Sequence, residues 1–466
     1  MSVVTSGACE LARSAPAAAV YPLLVHPGPD SVIAWRGAIA VTAGRFLADA
    51  RQLASRLTGA EQILNLCADR YLFAVGLAAS LMAGRVSLLP AAHTPAAIRE
   101  LRVFGHNMLC LTDDPQCDVS FPRLLLEFAA APPVPTGSHW NVPEFDAAQL
   151  AACIFTSGST GAPVPHAKTW GSLVRDVRCE AQQLGMNGGI PRVIVATVPA
   201  QHMFGFETSV LAPLQTGNIL CSARPFFPAD VAATLAALPA PRVLVSTPIH
   251  LRALLDSQVA FPALERVVSS TAPLAPELAR AAEHRLGCPL FEIYGSTETG
   301  QIASRRTSQS IQWQLSPQVQ LVARDGGYWV EGGHVETPTQ LSDRVEIVGA
   351  RSFLLQGRSA DLVNVAGKRS SLTYLNHQLT TIPGVIDGTF FHPDSGEAGA
   401  TPAQVPRLAA VAVAPGCDPA LIRRELRLRI DPVFLPRPLL LVARLPRDPT
   451  GKLPHAELQK LLVRNA

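Results

Sequence analysis

The chain has 466 residues, of which 48% are hydrophobic and 16% are charged, and its formal net charge is +3. This composition is typical of a globular protein of two or three domains and excludes a disordered chain. The weak net charge gives no support to binding of nucleic acid or of an anionic membrane surface. We therefore expect no nucleic acid partner.

The cysteines and apolar runs favour a cytoplasmic protein. Nine cysteines are scattered without a CxxC motif, which favours buried reduced thiols over disulfides or zinc sites. The N-terminus lacks a basic region followed by a sustained apolar segment, so no signal peptide is expected. Apolar runs such as residues 72–83 are too short to span a bilayer, and we expect no membrane span.

The first third of the chain predicts alternating strands and helices. Predicted strands cover residues 31–40 (as a pair), 62–66, 86–89 and 108–112, and predicted helices start at 42 and cover 70–84 and 94–104. This alternation favours an α/β layered domain. A proline-rich surface connection at residues 130–145 then leads to the next strand.

A glycine-rich loop follows the predicted buried strand at residues 150–155. The loop consists of Thr156, Ser157, Gly158, Ser159, Thr160 and Gly161. Glycines let backbone N–H groups converge on an anion, and the hydroxyls add donors. A helix is predicted from about Trp170, after a connection broken by prolines. Strand, loop and helix together indicate a phosphate cradle, with an ordinary turn as the alternative.

The rest of the chain first continues the predicted α/β pattern. Short predicted strands and then a small predicted α+β domain follow. Predicted strands cover residues 192–198, 242–246, 264–270 and 290–294, and predicted helices cover 206–215 and 276–286. Short β segments follow at 319–323, 328–331, 345–347 and 353–355. A small α+β domain is predicted from the strands at 362–365, 408–413 and 439–442 and the helices at 372–379 and 419–430. We expect two domains, residues 1–356 and 357–466.

Four short motifs occur together in this order: FTSGSTG at 155–161, YGSTE at 294–298, GRSAD at 357–361 and PRDPTGK at 446–452. The set resembles the adenylate-forming superfamily of acyl-CoA synthetases, peptide synthetase adenylation domains and luciferases, from about residue 35 to the end. The resemblance implies an α/β fold with a large layered N-terminal domain and a small mobile α+β C-terminal domain. It also implies ATP and Mg²⁺ as cofactors.

The resemblance assigns a nucleotide site. The loop Thr156–Gly161 would hold the β- and γ-phosphates of ATP, Tyr294 would pack on adenine, Thr297 would contact phosphate and Glu298 would bind Mg²⁺. The alternative for Tyr294 and Glu298 is a core tyrosine and a solvated acid. The other residues assigned to this site are Thr271, Ala272, Pro273, Gly295, Ser296, Asp343 as the acceptor of the ribose hydroxyls, and Arg358.

By the same resemblance, Lys452 would be the catalytic lysine that bridges a carboxylate oxygen and an α-phosphate oxygen. Gly451 would allow the tight turn that presents it, and an ordinary tail lysine is the alternative. Ala360 and Asp361 would form the hinge about which the small domain turns between two half-reactions.

The chain departs from the family pattern near the loop. Val164 stands where a lysine usually follows the proline, and Asn364 stands where a lysine is common. Lys168, four residues further on, could partly replace the loop lysine or could be a surface residue at the start of a helix. Asp343 follows Leu341-Ser342 in place of the usual Thr-Gly.

By the resemblance, the acyl pocket would be lined by residues 199–207 and 270–274. His202 resembles the aromatic gate between pocket and thiol tunnel, with a core histidine as the alternative. Phe204 and Phe206 could form the wall of a flat apolar cavity. Glu207 could hold the amino group of an amino acid, could bond a hydroxyl of an aryl or β-hydroxy acid, or could be a helix-start residue favoured by the dipole.

The resemblance implies an AMP-forming acid–thiol ligase in which Lys452, His202 and Glu298 serve catalysis. The enzyme would convert an aryl, fatty or hydroxy acid to an acyl-adenylate with release of pyrophosphate, and then transfer it to CoA or an acyl carrier protein. A general base is not needed, because a carboxylate is already ionised at neutral pH. The alternatives are a stand-alone amino-acid adenylation enzyme and a non-catalytic nucleotide-binding member.

Overall fold

The computed structural model describes residues 19–90, 95–105, 107–128, 140–157, 163–358, 362–365, 368–393, 408–448 and 451–464. The predictions for Gly158, Ser159, Thr160 and Gly161, and those for the hinge residues Ala360 and Asp361, lie outside this part of the chain. Within it, no helix combines the length and the apolar character needed to cross a membrane.

Strands and helices are numbered separately in chain order. The strands are β1 (Val20–Pro22), β2 (Val32–Arg36), β3 (Ile39–Thr42), β4 (Gln62–Asn65), β5 (Val86–Leu89), β6 (Met108–Thr112), β7 (Arg123–Leu125), β8 (Glu144–Asp146), β9 (Leu150–Ser157), β10 (Pro163–Thr169), β11 (Val193–Ala196), β12 (Ile219–Cys221), β13 (Arg242–Ser246), β14 (Arg266–Ser269), β15 (Leu290–Ser296), β16 (Gly300–Arg305), β17 (Trp313–Leu315), β18 (Gln320–Arg324), β19 (Gly327–Gly332), β20 (Val335–Gln340), β21 (Asp343–Gly349), β22 (Ser352–Arg358), β23 (Leu362–Val365), β24 (Lys368–Ser371), β25 (Asp387–Phe391), β26 (Ala409–Val413) and β27 (Leu439–Leu441). The helices are α1 (Ala43–Ala54), α2 (Arg70–Met82), α3 (Pro95–Glu100), α4 (Trp170–Gln183), α5 (Met203–Phe206), α6 (Ala212–Thr216), α7 (Pro228–Ala236), α8 (Pro248–Asp256), α9 (Pro276–Leu286), α10 (Leu372–Thr380), α11 (Pro419–Arg427) and α12 (His455–Arg464). A π-helical turn, Glu207–Leu211, joins α5 to α6.

The first sheet runs in the order β10-β9-β5-β4-β6-β7. Its inner strands are parallel, whereas β9 and β10 form an antiparallel hairpin around the glycine-rich loop. Helices α1 and α2 begin where the sequence predicts. Thr42 caps α1 by accepting the N–H of Arg45 at 3.3 Å, and Asp69 caps α2 by accepting that of Leu72 at 3.0 Å. Helix α2 is buried on nearly all sides, as its apolar sequence requires.

The second sheet runs in the order β21-β22-β17-β16-β15-β14-β13-β11-β12-β2-β3. Strands β11 to β15 pair in parallel within it. The carboxyl ends of parallel strands lie at one edge of a sheet, where ligands of α/β proteins bind. The segments after β11, β13, β14 and β15 therefore meet at this edge, and three of them carry residues that the sequence assigns to the site.

The C-terminal part has hydrophobic clusters of its own. One cluster runs from Val363 to Leu439 and packs α10 and α11 on the sheet β25-β26-β27, and a second packs α12 on that sheet. Arg252 Nη1 donates to Ile386 O at 2.7 Å and joins this part to α8. The predicted combination of a large α/β part and a small α+β part is confirmed. The boundary at residue 357 stays a prediction.

The expected proline-broken connection after the glycine-rich loop is wrong, because residues 163–169 form β10. The helix begins at Trp170, as predicted. Seven strand residues put the start of α4 roughly 20 Å along the chain from the loop, so its dipole does not act there. Pro163 and Pro165 are tolerated because β10 is the outer strand of its sheet.

Candidate active site

The turn after β15 is shaped to project an acidic side chain. A Cβ on Gly295 would lie 2.1 Å from the carbonyl oxygen of Gly300, so only glycine allows the two sides of the turn to approach. Ser296 N–H donates to Thr299 Oγ1 at 3.2 Å, and Thr299 N–H donates to Ser296 Oγ at 3.3 Å. Glu298 lies within this small closed turn, and its side chain is 43% exposed.

The segment after β14 contains the one positive φ among the described non-glycine residues. Thr271 has φ +80°, in the left-handed region that residues with a Cβ rarely adopt. Leu274 N–H, three residues on, donates to Glu292 Oε1 at 2.9 Å and ties the segment to β15. Such strain is found most often at ligand sites, in agreement with the assignment of Thr271, Ala272 and Pro273.

Tyr294 and Asp343 are brought together although they are far apart in the sequence. The tyrosine hydroxyl donates to Asp343 Oδ2 at 2.6 Å. The tyrosine ring packs against Trp313 and Phe353, with centroid distances of 5.4 and 5.9 Å. Asp343 pairs with Arg358 in the β21–β22 ladder, which places a third predicted residue beside them. The site can thus present an aromatic ring next to a carboxylate.

Glu298 is held in its ionised form. Partial burial raises the pKa of its carboxyl, but the Ser296 hydroxyl, the backbone and the charges of His166 and Lys168 together lower that pKa below its ordinary value. His166 Nε2 lies 3.6 Å from Glu298 Oε1. An exposed, ionised carboxylate at this edge is suited to a hard cation.

Lys168 is not a surface residue. It is 8% exposed, and its ammonium donates to the backbone carbonyl of Glu298 at 2.9 Å. Burial lowers the pKa of Lys168, while Glu207, Asp176 and other acids oppose that shift. The interpretation of Lys168 as an exposed residue at a helix start is therefore wrong.

His166 is a site residue that the sequence analysis missed. Its Nε2 lies 2.9 Å from Thr156 Oγ1, at the start of the glycine-rich loop. Residues 164, 166 and 168 share one face of β10, because side chains alternate along a strand. This alternation was the available signal, but the prolines at 163 and 165 made the segment look irregular.

The acyl-side residues lie around α5. Burial, and then the charge of Lys452, lower the pKa of His202 to about 3, so its ring is neutral. Phe204 is 5% exposed, whereas Phe206 is fully buried and packs edge-on against Phe73 at 6.1 Å, inside the core. Burial, and then the Asp176 carboxyl, raise the pKa of Glu207 well above its ordinary value. Of the two phenylalanines, Phe204 lies nearer to His202 in the chain.

The Lys452 loop lies against the same edge of the second sheet. Asp448 Oδ1 accepts the N–H of Lys452 at 2.9 Å, which closes the loop. Gly451 has φ +85°, and a Cβ there would lie 3.0 Å from Ile249 Cγ2, just after β13. The charge of Lys452 acts on His202. The loop thus brings its lysine to the residues assigned to the acyl gate.

A family model described as AMP-binding enzyme matches residues 24–328, more than half of the chain. The chain belongs to this family. The predicted adenylate-forming family is thereby confirmed, and the nucleotide named by the family agrees with the expected use of ATP.

Individual relatives of this AMP-binding enzyme are CoA ligases. It is 32% identical over 238 residues to a 4-coumarate–CoA ligase of Rhodobacter capsulatus, a match that covers 51% of this chain and 59% of that enzyme. It is 28% identical over 314 residues to a 4-coumarate–CoA ligase of Halorhodospira halophila, covering 64% and 73%. The matched region thus spans less than two thirds of the first relative. The expected class, an AMP-forming acid–thiol ligase, agrees with both.

The fold of the AMP-binding enzyme also has a close solved counterpart. The o-succinylbenzoate CoA synthetase (MenE) of Bacillus subtilis, in complex with the acyl-adenylate intermediate, superposes with a TM-score of 0.78 at 17% identity. The likeness covers 95% of this chain and 98% of that one. The predicted adenylate-forming fold is confirmed over nearly the whole length.

The donor set fits Mg²⁺ that arrives with a nucleotide. Among the described residues, no group of three or more acids, histidines or cysteines could hold a metal ion unaided. Mg²⁺ is often bound through one or two carboxylates together with substrate phosphates. The exposed carboxylate of Glu298 meets this requirement, so the AMP-binding enzyme has a residue suited to the ion.

Proposed function

We propose that this AMP-binding enzyme is an AMP-forming acid–thiol ligase. It activates a carboxylic acid with ATP to an acyl-adenylate and transfers the acyl group to the thiol of CoA or of an acyl carrier protein. The observation that carries the proposal is that Glu298, the Tyr294–Asp343 pair and the Lys452 loop all lie at the edge where the parallel strands end.

Each residue has a defined task in the first half-reaction. Tyr294 packs on adenine, and Asp343 accepts the ribose hydroxyls. The substrate carboxylate attacks the α-phosphorus, and pyrophosphate leaves with the electron pair of the broken P–O bond. Lys452 stabilises the negative charge that collects between carboxylate and α-phosphate. Mg²⁺, when bound at Glu298, supplies neutralisation of phosphate charge.

In the second half-reaction a thiolate attacks the acyl carbon, and AMP leaves with the electron pair of the C–O bond. The close approach of Gly451 to Ile249 supports the assignment of Lys452 to the first step. The proposed turn of residues 357–466 about Ala360 and Asp361 would remove it for the second. We assign His202 to the gate through which the thiol would approach.

The surroundings of Glu207 favour an acid without an amino group. Glu207 is 3% exposed. Of the acids near Lys168, it most strongly opposes the lowering of the lysine pKa by burial. A substrate ammonium beside Glu207 would be repelled by this lysine. A hydroxyl of the substrate would not be repelled by the lysine. The 4-coumarate–CoA ligases named above act on a hydroxylated aryl acid. We therefore propose an aryl acid as substrate, with Phe204 along the pocket.

The test is pyrophosphate release across a panel of aryl, fatty and amino acids, run once with CoA and once with acyl carrier protein. We expect release with aryl acids and thioester formation with one of the two thiols. Activity restricted to amino acids contradicts the proposed substrate. Failure of every acid to give a hydroxamate, while ATP still binds, indicates a non-catalytic nucleotide-binding protein.

A further inference from the structure

Two polar side chains on one face of β10 contact the same residue, which lies in the turn after β15. His166 Nε2 lies 3.6 Å from the Glu298 carboxylate, and Lys168 Nζ donates to the Glu298 carbonyl at 2.9 Å. They are two positions apart in a strand, so they point to the same side. One residue contacts the side chain of Glu298 and the other holds its backbone.

The histidine also reaches the strand before the glycine-rich loop. His166 Nε2 lies 2.9 Å from Thr156 Oγ1, and Thr156 pairs with Val164 across the hairpin. The imidazole therefore connects the first residue of the loop with the carboxylate of the turn. Its side chain is only 14% exposed, so packing restricts its position.

The buried ammonium of Lys168 is also held by neighbouring acids. A buried ammonium is costly unless neighbouring acids compensate it, and the carboxyls of Glu207 and Asp176 favour the charged form of Lys168. Asp176 Oδ2 accepts the N–H of Gln301 at 3.4 Å, and a Cβ on Gly300 would lie 2.0 Å from that oxygen. The acids that hold Lys168 thus pack against the end of the same turn.

We propose that His166 and Lys168 are positioning residues that hold Glu298 in place for the metal-bound nucleotide, in a chain that has valine where the loop lysine of its family stands. The proposal rests on the proposed function, because it assigns Glu298 to Mg²⁺. It predicts that loosening either contact weakens the binding of nucleotide that depends on Mg²⁺, and that loss of the histidine spares the binding of the acid.

The first test uses His166→Val, which keeps a residue suited to a strand. The dissociation constant of α,β-methylene-ATP, an analogue that cannot release pyrophosphate, is measured by calorimetry with Mg²⁺ and with EDTA. The constant in EDTA divided by the constant with Mg²⁺ is the factor by which Mg²⁺ tightens binding of the analogue, and we call this factor the gain from Mg²⁺. Partners of metal ligands typically contribute 10–100-fold, so we expect the gain to fall about tenfold. The KM for the acid should stay within about twofold, since no acid contact is removed.

Matched variants separate positioning from general damage. Val164→Ala changes an exposed residue on the same strand face and should keep the wild-type gain. His166→Gln retains a donor that can reach Glu298 and should restore most of the gain. A wild-type gain in His166→Val overturns the role of the histidine. If wild-type protein itself gains nothing from Mg²⁺, the assignment of Glu298 fails, and this inference fails with it.

Lys168 needs a paired variant, because Lys168→Met alone leaves Glu207 buried without its compensating charge. The double variant Lys168→Met/Glu207→Gln removes both groups. We expect this variant to fold and to show a smaller gain from Mg²⁺ than Glu207→Gln alone. Equal gains in the double and the single variant overturn the role of the lysine.

Discussion

Tyr294 is the residue at which two parts of the proposed nucleotide site meet. Its ring packs against Trp313 and Phe353, while its hydroxyl donates to Asp343 at 2.6 Å. The ring is fixed by these neighbours independently of the hydroxyl. The hydrogen bond therefore serves to orient the carboxylate proposed to accept the ribose hydroxyls.

Tyr294→Phe should weaken ATP use without loss of folding. The ring packing remains and one hydrogen bond is lost, which corresponds to about 0.5–1.5 kcal/mol, or roughly a 2–10-fold higher KM for ATP. The KM is measured by pyrophosphate release. Tyr374→Phe removes a comparable hydroxyl bond, to Arg429 O, in the C-terminal part and should leave this KM unchanged. An unaltered KM for ATP in Tyr294→Phe would refute the role in orientation.

Lys452→Ala should separate the two half-reactions. The lysine loop approaches Ile249, at the same edge of the second sheet as the other proposed site residues. Loss of one preorganised charge in such a site costs on the order of 100-fold or more in rate. Adenylate formation should fall by that factor, whereas thioester formation from a supplied acyl-adenylate should persist. Equal losses in both steps would contradict the assignment.

The β9–β10 hairpin carries Val164, which stands where the family resemblance leads one to expect a lysine. Val164 is 42% exposed, lies opposite Thr156 and shares a strand face with His166. We expect Val164→Lys to lower the KM for ATP several-fold, because it adds a cation beside the loop at an exposed position that costs little stability. Val164→Gln is the matched control for side-chain length. A KM that rises in Val164→Lys would show that His166 and Lys168 already complete the site.

Elements with clear periodicity were predicted well. Strands β5, β6 and β13 and helix α9 have the expected bounds, because apolar runs and proline or glycine boundaries mark them in the sequence. Strands β16 and β17 and helices α8 and α12 were not predicted. Strand β10 was misjudged, because its prolines are allowed only at the edge of a sheet, and sheet order is a tertiary property.

The parts of the candidate site that lie in short motifs could be predicted from the sequence. The parts that depend on contacts between distant segments could not. The turn at Glu298 and the loop at Lys452 follow directly from short motifs. The acids that surround Lys168 come from α4 and the π-helical turn, and no local pattern joins them to β10. The same is true of the contact between His166 and Glu298, whose partners are 132 positions apart.

At the scale of the whole molecule, buried histidines should set the acid limit of stability. Burial lowers the pKa of His26 and His250 to about 4, and burial with the Lys452 charge lowers that of His202 to about 3. These rings are neutral in the folded protein. The unfolded chain, with an ordinary histidine pKa near 6.5, takes up protons first as the pH falls. Stability should therefore be lost between about pH 6.5 and 4.

The measurement is the Tm as a function of pH for wild-type protein and for His26→Gln. The glutamine can still donate to Asn218 O, the partner of His26, but it does not titrate. Its Tm should fall less between pH 6.5 and 4 than that of wild type. His284→Gln, at an exposed position on α9, should follow the wild-type curve. Parallel curves for wild type and His26→Gln would exclude His26 as a cause of the acid loss.

Strand β10 also bears on how the molecule avoids self-association. An outer strand normally offers unpaired N–H and C=O groups to a strand of another copy, and such pairing leads to aggregation. Pro163 and Pro165 have no N–H to offer, so they interrupt that row of donors. The hairpin that carries the nucleotide loop can therefore lie at the border of the first sheet without serving as a template for another chain.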